Sequence, residues 1–527
     1  MAFSNIDISD SYWETLDITK DDIEFIYTYL LEKETPHPSD QLAKALIIER
    51  MRIEHETLKA KQLKNGKIYM PKLEFEIGDK VQFPAKNWLS GKVVEIRSGK
   101  NPEYSNFDVM TVELENGKTQ QFAANLEDHQ LNQISSAIKD VTDDDHNFTF
   151  ENYGKAIIAK LEKKLEENKD LVRIGENWFP KSLLIDFNVG HLNLAEAVLD
   201  MNDGGPLAVD SLIEQIDIES DDSTELVRFS LNYALQQDPR FDDVGASGKV
   251  EWFLNRLEPE YVREIPLQLQ YKPIDYDRAL LSKDMIKVEQ RIDDELIEPL
   301  PEFGPKIPKK EVTIVLSYPH WRVGSIPLTP STRPFFPTAL ESPRVKVTFI
   351  DANGERISAW VVRPFNYVYG LRNWFEELEL IPGSIIKIKP GNKPGEVHIE
   401  AEKKRSNREW IRTLLIGADG GVVYATLKQT ITADFNERMV ISVPATEALD
   451  QLWEARSTNP RSIEDVVINT MNELGKLNPQ GNVHAIELYA AVNCIYRCPP
   501  GLVFSILATN PEFTPVGDLY YHLSENS

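Results

Sequence analysis

One short pattern recurs three times in this 527-residue chain and limits what the chain can fold into. An apolar helical stretch ends at Asn or Asp; an apolar residue follows, then Val or Ile with Gly, then Trp or Tyr. The copies are Asn168-Lys169-Asp170-Leu171-Val172-Arg173-Ile174-Gly175 with Trp178-Phe179, Asp238-Pro239-Arg240-Phe241-Asp242-Asp243-Val244-Gly245 with Trp252-Phe253, and Asn510-Pro511-Glu512-Phe513-Thr514-Pro515-Val516-Gly517 with Tyr520-Tyr521. Each reads as a helix running into a two-stranded wing. The Asn or Asp stops the helix, the apolar residue and the Val or Ile line the first strand's inner face, Gly makes the turn, and the aromatic lays the second strand over the core. The irregular spacing marks recurring modules rather than a solenoid, in a chain long enough for about three to six domains.

The charge decides what those modules can touch. The formal net charge is −26, and an acidic surface is repelled by a dense row of phosphates. Residues 301–430 are the exception, with 19 Lys and Arg against 13 Asp and Glu, a net of +6 that leaves 39 against 71, or −32, elsewhere. That segment alone has the sign for a polyanion. Two cysteines exclude a disulfide framework and fit a reducing compartment. The start, Met1-Ala2-Phe3-Ser4-Asn5-Ile6-Asp7, has no basic stretch before an apolar run, and no run approaches membrane-spanning length. No membrane contact and a cytoplasmic location, with nucleoid association as a variant of it, are the expectation.

The pass along the chain predicts eight segments. Residues 1–72 are helical, opening on the capping-box-like Thr19-Lys20-Asp21-Asp22, and end near Asn65-Gly66 as a degenerate winged helix. Residues 73–132 switch to short strands with an Asn116-Gly117 hairpin turn, as in a small barrel. Thr142-Asp143-Asp144-Asp145 reads as an acidic linker, and 148–186 as a helix plus wing. Residues 187–262 give helix, Gly205-Pro206 turn, helix, helix and wing, the order of a winged helix-turn-helix. Residues 263–310, with Pro266, Pro273, Pro299, Pro301, Pro305 and Pro308, read as an extended connector holding one helix over 283–298. A β-rich domain at 311–400, a hairpin extension at 401–445 turning at Asp419-Gly420-Gly421, and a C-terminal winged helix at 446–527 complete the order. The fold class is thus multidomain α+β: several winged helix-turn-helix modules, one small β-barrel and one β-pseudobarrel.

Three resemblances sharpen this reading. Gly78-Asp79-Lys80-Val81 with Gly91-Lys92-Val93 resembles the Tudor and KOW class of small barrels. Ala195-Glu196-Ala197-Val198-Leu199, Gly205-Pro206-Leu207, Leu212-Ile213 and Asp238-Pro239-Arg240-Phe241 with Val244-Gly245 and Trp252 resemble the HARE-type winged helix of the RNA polymerase delta subunit and of chromatin-associated proteins. Residues 311–400, with Gly370-Leu371-Arg372-Asn373-Trp374-Phe375 and Leu380-Ile381-Pro382-Gly383-Ser384, look like the DNA-binding pseudobarrel of plant transcription factors and restriction-enzyme effector modules. In that family two arms grip the major groove. The matching positions are His320, Trp321, Arg322 and Arg333 on the first arm and Arg363, Asn366, Tyr367 and Arg372 on the second, with Lys403, Lys404, Arg405 and Arg408 as further cations. Arg suits phosphate and guanine, Asn adenine, and aromatics stack or wedge.

Catalytic signatures are missing: no Gly-x-Ser-x-Gly, P-loop, His-Glu-x-x-His or dinucleotide fingerprint occurs. Cys494 and Cys498, four apart on a predicted helix, are two ligands at most and read as buried apolar residues, so no metal or cofactor is expected. Glu400, Glu402 and Lys404 are the nearest approach to a nuclease group, and nothing in the sequence identifies the additional upstream Asp that a two-metal site needs. The expectation is a non-enzymatic, transcription-associated protein whose pseudobarrel binds double-stranded DNA while acidic winged helices bind protein. The alternatives are a delta-like RNA polymerase accessory factor and a DNA-processing or defence-system subunit with an unrecognised active site. The wings are poor DNA readers on charge, because the helix before the second has only Arg228 and the helix before the third has no basic residue.

Overall fold

The computed structural model describes residues 10–64, 66–83, 86, 89–101, 107–115, 117–127, 129, 132, 143–216, 218, 220, 222–246, 248–298, 310–339, 342–417, 420–459 and 461–524. The chain divides into two compact units, Met1–Ile185 with Asp222–Phe229, and Asp186–Asp221 with Ser230–Ser527.

In the first unit Thr19 caps the helix Lys20–Lys33. Its hydroxyl accepts the Asp22 amide while the Asp22 carboxylate accepts the Thr19 amide at 2.7 Å, so two otherwise orphaned donors satisfy each other. A two-residue strand, His37–Pro38, precedes the long helix Ser39–Lys64, and its partner lies far along the chain: His37 pairs with Trp178 and Pro38 with Asn177. The helix Asp143–Glu166 and the hairpin Leu171–Ile174 with Asn177–Pro180 complete the same module. One core holds Trp13, Ile26, Leu42, Leu46, Leu161 and Trp178, whose indole donates to Ser39 Oγ at 3.0 Å. Segments 1–72 and 148–186 are therefore not two domains but halves of one. The acidic run beginning at Asp143 is the first turn of a helix rather than a linker, Thr142 lying outside the described residues.

Between those halves a five-stranded sheet is inserted, in the order Lys67–Ile68, Lys80–Phe83, Leu89–Ser98, Asp108–Leu114, Thr119–Ala124. It has its own core of Val81, Phe83, Val93, Met110 and Val112, as the alternating pattern of 73–132 predicts. Asn65 and Asn116, expected in turns, lie outside the described residues.

The order helix, two-residue strand, helix, helix, hairpin returns twice further along the chain. It is Val189–Met201, Leu207–Ala208, Val209–Ile216, Thr224–Gln236, then Phe241–Asp243 with Glu251–Leu254. It is again Ile463–Gly475, Val483–His484, Ala485–Asn493, Pro500–Thr509, then Phe513–Gly517 with Tyr520–Leu523. In all three copies the two-residue strand lies on the hairpin's second strand, giving three sheets of one topology. Leu171, Phe241 and Phe513 are buried as the pattern requires, and so are Ile174 and Val244. Val516 is 52% exposed, because a register shift between Pro515 and Gly517 turns it outward.

Residues 311–401 form a nearly closed seven-stranded sheet. Its order is Val312–Val315, Ile385–Pro390, Glu396–Ala401, Arg344–Ile350, Arg356–Val362, Tyr367–Tyr369, Ser325–Pro327. Val345, Val347 and Phe349 alternate inward, and Trp374 and Phe375 of the helix Arg372–Glu377 fill the interior. The two edge strands are consecutive in sequence, joined by the short helix Tyr318–Val323 across the opening. The hairpin of the second module is fastened to this barrel. Val244 O accepts the Lys346 amide at 2.9 Å, the Phe253 and Trp360 rings meet edge to face at 5.1 Å, and Arg344 bridges Glu258 at 2.6 Å and Asp242 at 3.2 Å. Burial, aided by Asp242, pushes the Glu258 carboxyl up to about 8 against the pull of Arg344.

The proline-rich segment is not an extended connector. Leu281 and Met285 enter the C-terminal core, and the helix there ends at Ile292 rather than 298. Pro299, Pro301, Pro305 and Pro308 lie outside the described residues. The segment packs on Pro500–Thr509 so closely that a Cβ on Gly501 would stand 2.3 Å from the Tyr276 hydroxyl and 2.4 Å from Glu289 Oε1. Only glycine lets the strap lie there.

Because the first module's core draws on both sides of the insertion, a chain ending at residue 72 will fail to fold, whereas one spanning 1–185 will fold cooperatively. Far-UV circular dichroism and amide-proton dispersion distinguish the two, and a folded 1–72 fragment would refute the discontinuous module.

Candidate nucleic-acid interface

Three of the four first-arm residues, His320, Trp321 and Arg322, are drawn into the barrel's closure instead of projecting from it. The Ser317-Tyr318-Pro319 start favours a helix, with proline in its first turn and Gly324 as a left-handed stop at φ 81°. His320 is 1% exposed, held by Ser325 Oγ at 2.9 Å and Glu295 Oε2 at 3.0 Å. The Trp321 indole donates to Leu380 O at 2.7 Å. Arg322 forms a forked pair with Asp450, its Nε 3.0 and 3.1 Å from the two carboxylate oxygens. Arg372 donates to the Arg322 carbonyl, and both arginines line a cavity of about 180 Å³ with Asp450 and Glu454. Tyr367 is buried, its hydroxyl donating to Tyr261 O at 2.6 Å. These five expected groove contacts thus serve the interior or an acid-lined cleft.

Arg333, Arg363 and Asn366 do converge, on the rim beside Ser325–Pro327 and Tyr367–Tyr369. Arg333 Nη2 donates to Asn366 Oδ1 at 2.5 Å, and Arg363 Nη2 donates to Pro337 O at 2.7 Å. Burial, then the neighbouring Arg333, lowers the Arg363 pKa, although a guanidinium remains charged at neutral pH. Asn366 takes a left-handed φ of 57°, a conformation its short amide tolerates.

The remaining cations lie on a long antiparallel ribbon, Lys403–Ile416 with Val422–Ala433. Its far end is buried in the C-terminal module, where the Tyr424 hydroxyl donates to Ala491 O at 3.0 Å, and Ile411 and Ile431 pack on Phe435 and Val440 nearer the barrel. Between these anchors one face is open. Direct cross-strand partners share a face, so the pairs Arg408↔Thr430, Trp410↔Lys428 and Arg412↔Thr426 all project on the same side, and none is acidic. Trp410 is 68% exposed, with Lys428 Nζ 6.0 Å from its ring centre. Arg412 is committed to the carbonyls of Glu437 and Arg438 at 2.6 and 2.8 Å and to the Glu487 carboxylate at 3.1 Å, while Arg408 and Lys428 have no ion-pair partner among the described residues. Lys404 pairs with Glu409 at 2.8 Å. The side chains of Lys403 and Arg405 lie outside what the structure describes, as does Asp419 of the expected turn. Trp410 and Lys428 were absent from the sequence-derived set, although the alternation Arg408-x-Trp410-x-Arg412 opposite Thr426-x-Lys428-x-Thr430 carries the signal.

Other chemistry is dispersed. Glu402 pairs with Lys387, away from Lys404. Cys494 and Cys498 are buried free thiols beyond the helix end at Asn493, where burial raises both above the ordinary thiol value. Among the described residues no cluster of three or more His, Cys, Asp or Glu is placed to hold a metal, and no helix is long and apolar enough to cross a membrane. A wholly buried network has Arg497 at its centre: its guanidinium meets Asp294 at 2.7 and 2.9 Å, Glu295 at 2.5 Å and Asn493 at 2.8 Å. Burial alone would raise the Glu295 carboxyl, but Arg497 and His320 outweigh it and hold the group below the ordinary carboxylate range.

No protein-family model, curated protein or solved structure matches the chain.

Arg497→Leu strands two buried carboxylates and should lower unfolding free energy by about 3–5 kcal/mol at pH 7. A carboxyl whose folded pKa is depressed contributes stability that is complete above its unfolded value, about 4.3 for Glu, and is lost as pH falls below it. The deficit in Arg497→Leu will therefore shrink between pH 6 and pH 3 in urea titrations. An equal deficit at both ends would contradict this account.

Proposed function

We propose that the protein is a non-enzymatic, nucleic-acid-associated multimodule protein in which the basic ribbon, with the Arg333/Arg363/Asn366 rim, contacts the polyanion. The observation that carries this reading is the ribbon face itself. In a chain of net charge −26, Arg408 and Lys428 stand exposed, without an ion-pair partner among the described residues, on a surface whose neighbours are Trp and Thr. Exposed cations concentrated against the sign of the whole chain suit phosphate binding, where released counterions drive association.

The repeated helix, strand, helix, helix, hairpin order supports reading the three modules as winged helix-turn-helix units, and the five-stranded insertion as a Tudor- or KOW-like barrel. Protein contact suits the winged units better than DNA. The third helix of the C-terminal copy is buried from Pro500 to Leu507 under the strap, so it has no free face for a groove. On the second copy, Leu194 and Met201, two turns apart, are 51% and 85% exposed. That apolar pair favours a protein partner and keeps the polymerase-accessory reading as the second choice.

Changing Arg408 and Lys428 together to Glu should weaken binding to labelled nucleic acid at least about tenfold near 100 mM salt, and reduce the log–log salt slope by roughly two. The melting temperature should hold, since neither side chain has an ion-pair partner among the described residues and the Lys428 contact with the Trp410 ring is solvent-exposed. Unchanged affinity and slope would remove the ribbon from the interface, and no binding by the unaltered protein would refute the function.

A further inference from the structure

We propose that the ribbon face receives an unpaired nucleobase on Trp410, so that the protein prefers single-stranded or locally opened nucleic acid to closed duplex. This rests on the functional reading above and specifies its substrate. A Trp side chain offers a large area for burial, and leaving it 68% exposed forgoes that gain. The exposure is not a consequence of a loose end. Trp410 lies in continuous register from Asn407↔Ile431 to Ile416↔Val422, between an anchor on the barrel side and one in the C-terminal module.

The surroundings of the ring select the partner. Arg408, two residues away on the same face, and Lys428, directly across, bracket it with positive charge, while Thr426 and Thr430 add neutral hydroxyls. A protein hot spot for Trp is an enclosed apolar pocket with a drying rim. Here the rim is cationic and solvent-exposed, which suits a partner carrying an aromatic plane beside a phosphate. Every base has such a face, but in a duplex both faces are occupied by neighbouring pairs, and an indole with one N–H donor reads groove edges poorly. An unstacked base fits the ring, and its flanking phosphates fit Arg408 and Lys428.

The test uses the full chain and fluorescence anisotropy with four labelled probes of equal length: oligothymidine, oligouridine, a mixed-sequence duplex and an abasic strand. The unaltered protein should bind one or both single strands more tightly than the duplex, and the difference between oligothymidine and oligouridine tells whether DNA or RNA is favoured. Trp410→Ala should lose roughly 5- to 100-fold on the favoured strand, the effect of one stacked base. The same variant should change duplex and abasic binding less than about twofold, and Trp410→Phe should recover most of the loss. Matching melting temperatures exclude misfolding. Duplex preference by the unaltered protein, or Trp410→Ala binding single strands as well as the original, overturns this inference; sensitivity to Arg408→Glu with Lys428→Glu would still uphold the functional reading. Failure of the unaltered protein to bind any probe defeats both.

Discussion

Arg497 carries a full charge with none of its side chain exposed, and the second unit is organised around meeting that need. A buried guanidinium without acceptors is very costly, so its donors must be matched before the C-terminal module can close. The matching carboxylates, Asp294 and Glu295, come from about two hundred residues earlier, at the end of the proline-rich strap. Glu295 then turns its other oxygen to His320, and His320 its other nitrogen to Ser325, on the edge strand of the barrel. One ion cluster thereby fixes the strap on the C-terminal module and the closing helix on the barrel. The expected first arm cannot swing into a groove without uncoupling His320 from that cluster.

The same constraint explains which parts of the fold were legible in the sequence. Local signals were reliable: the Thr19–Asp22 box, the alternating strand Arg344–Ile350, the buried Leu171, Phe241 and Phe513 of the three hairpins. What failed was long-range. Nothing in His37-Pro38 announces that it pairs with Trp178 across an inserted sheet, because a two-residue strand has too little pattern to register. Proline and charge made the strap look extended, while only Leu269, Leu281 and Met285 of its hydrophobic side chains up to Ile292 are buried, too sparse a set to show as a core segment. The burial of His320 and the pairing of Arg322 were likewise invisible, since their partners Glu295 and Asp450 lie on other elements.

Of the side chains expected at the site, Arg408 is exposed, whereas His320, Trp321, Arg322, Tyr367 and Arg372 are buried or already paired. Residue type favoured the arginines near prolines and aromatics, yet position decided the outcome: Arg322 met Asp450, and Arg372 met the Arg322 carbonyl. Strand parity was the better guide. It places Arg408, Trp410 and Lys428 on one face and sends Glu409 to the other, where it pairs with Lys404.

The ribbon's anchorage bears on affinity as well as on placement. An isolated two-stranded hairpin is marginally stable in water, and a flexible one would lose conformational entropy on binding. Here the far end contributes Leu414 and Tyr424 to the C-terminal core, while Ala433 belongs to the barrel core at the other end. Each end is held by a body that Arg497 and His320 tie together, so the exposed stretch between them is ordered before any ligand arrives. The buried ion cluster, remote from the ribbon surface, thus supports recognition by reducing what the face must lose in freedom when it binds.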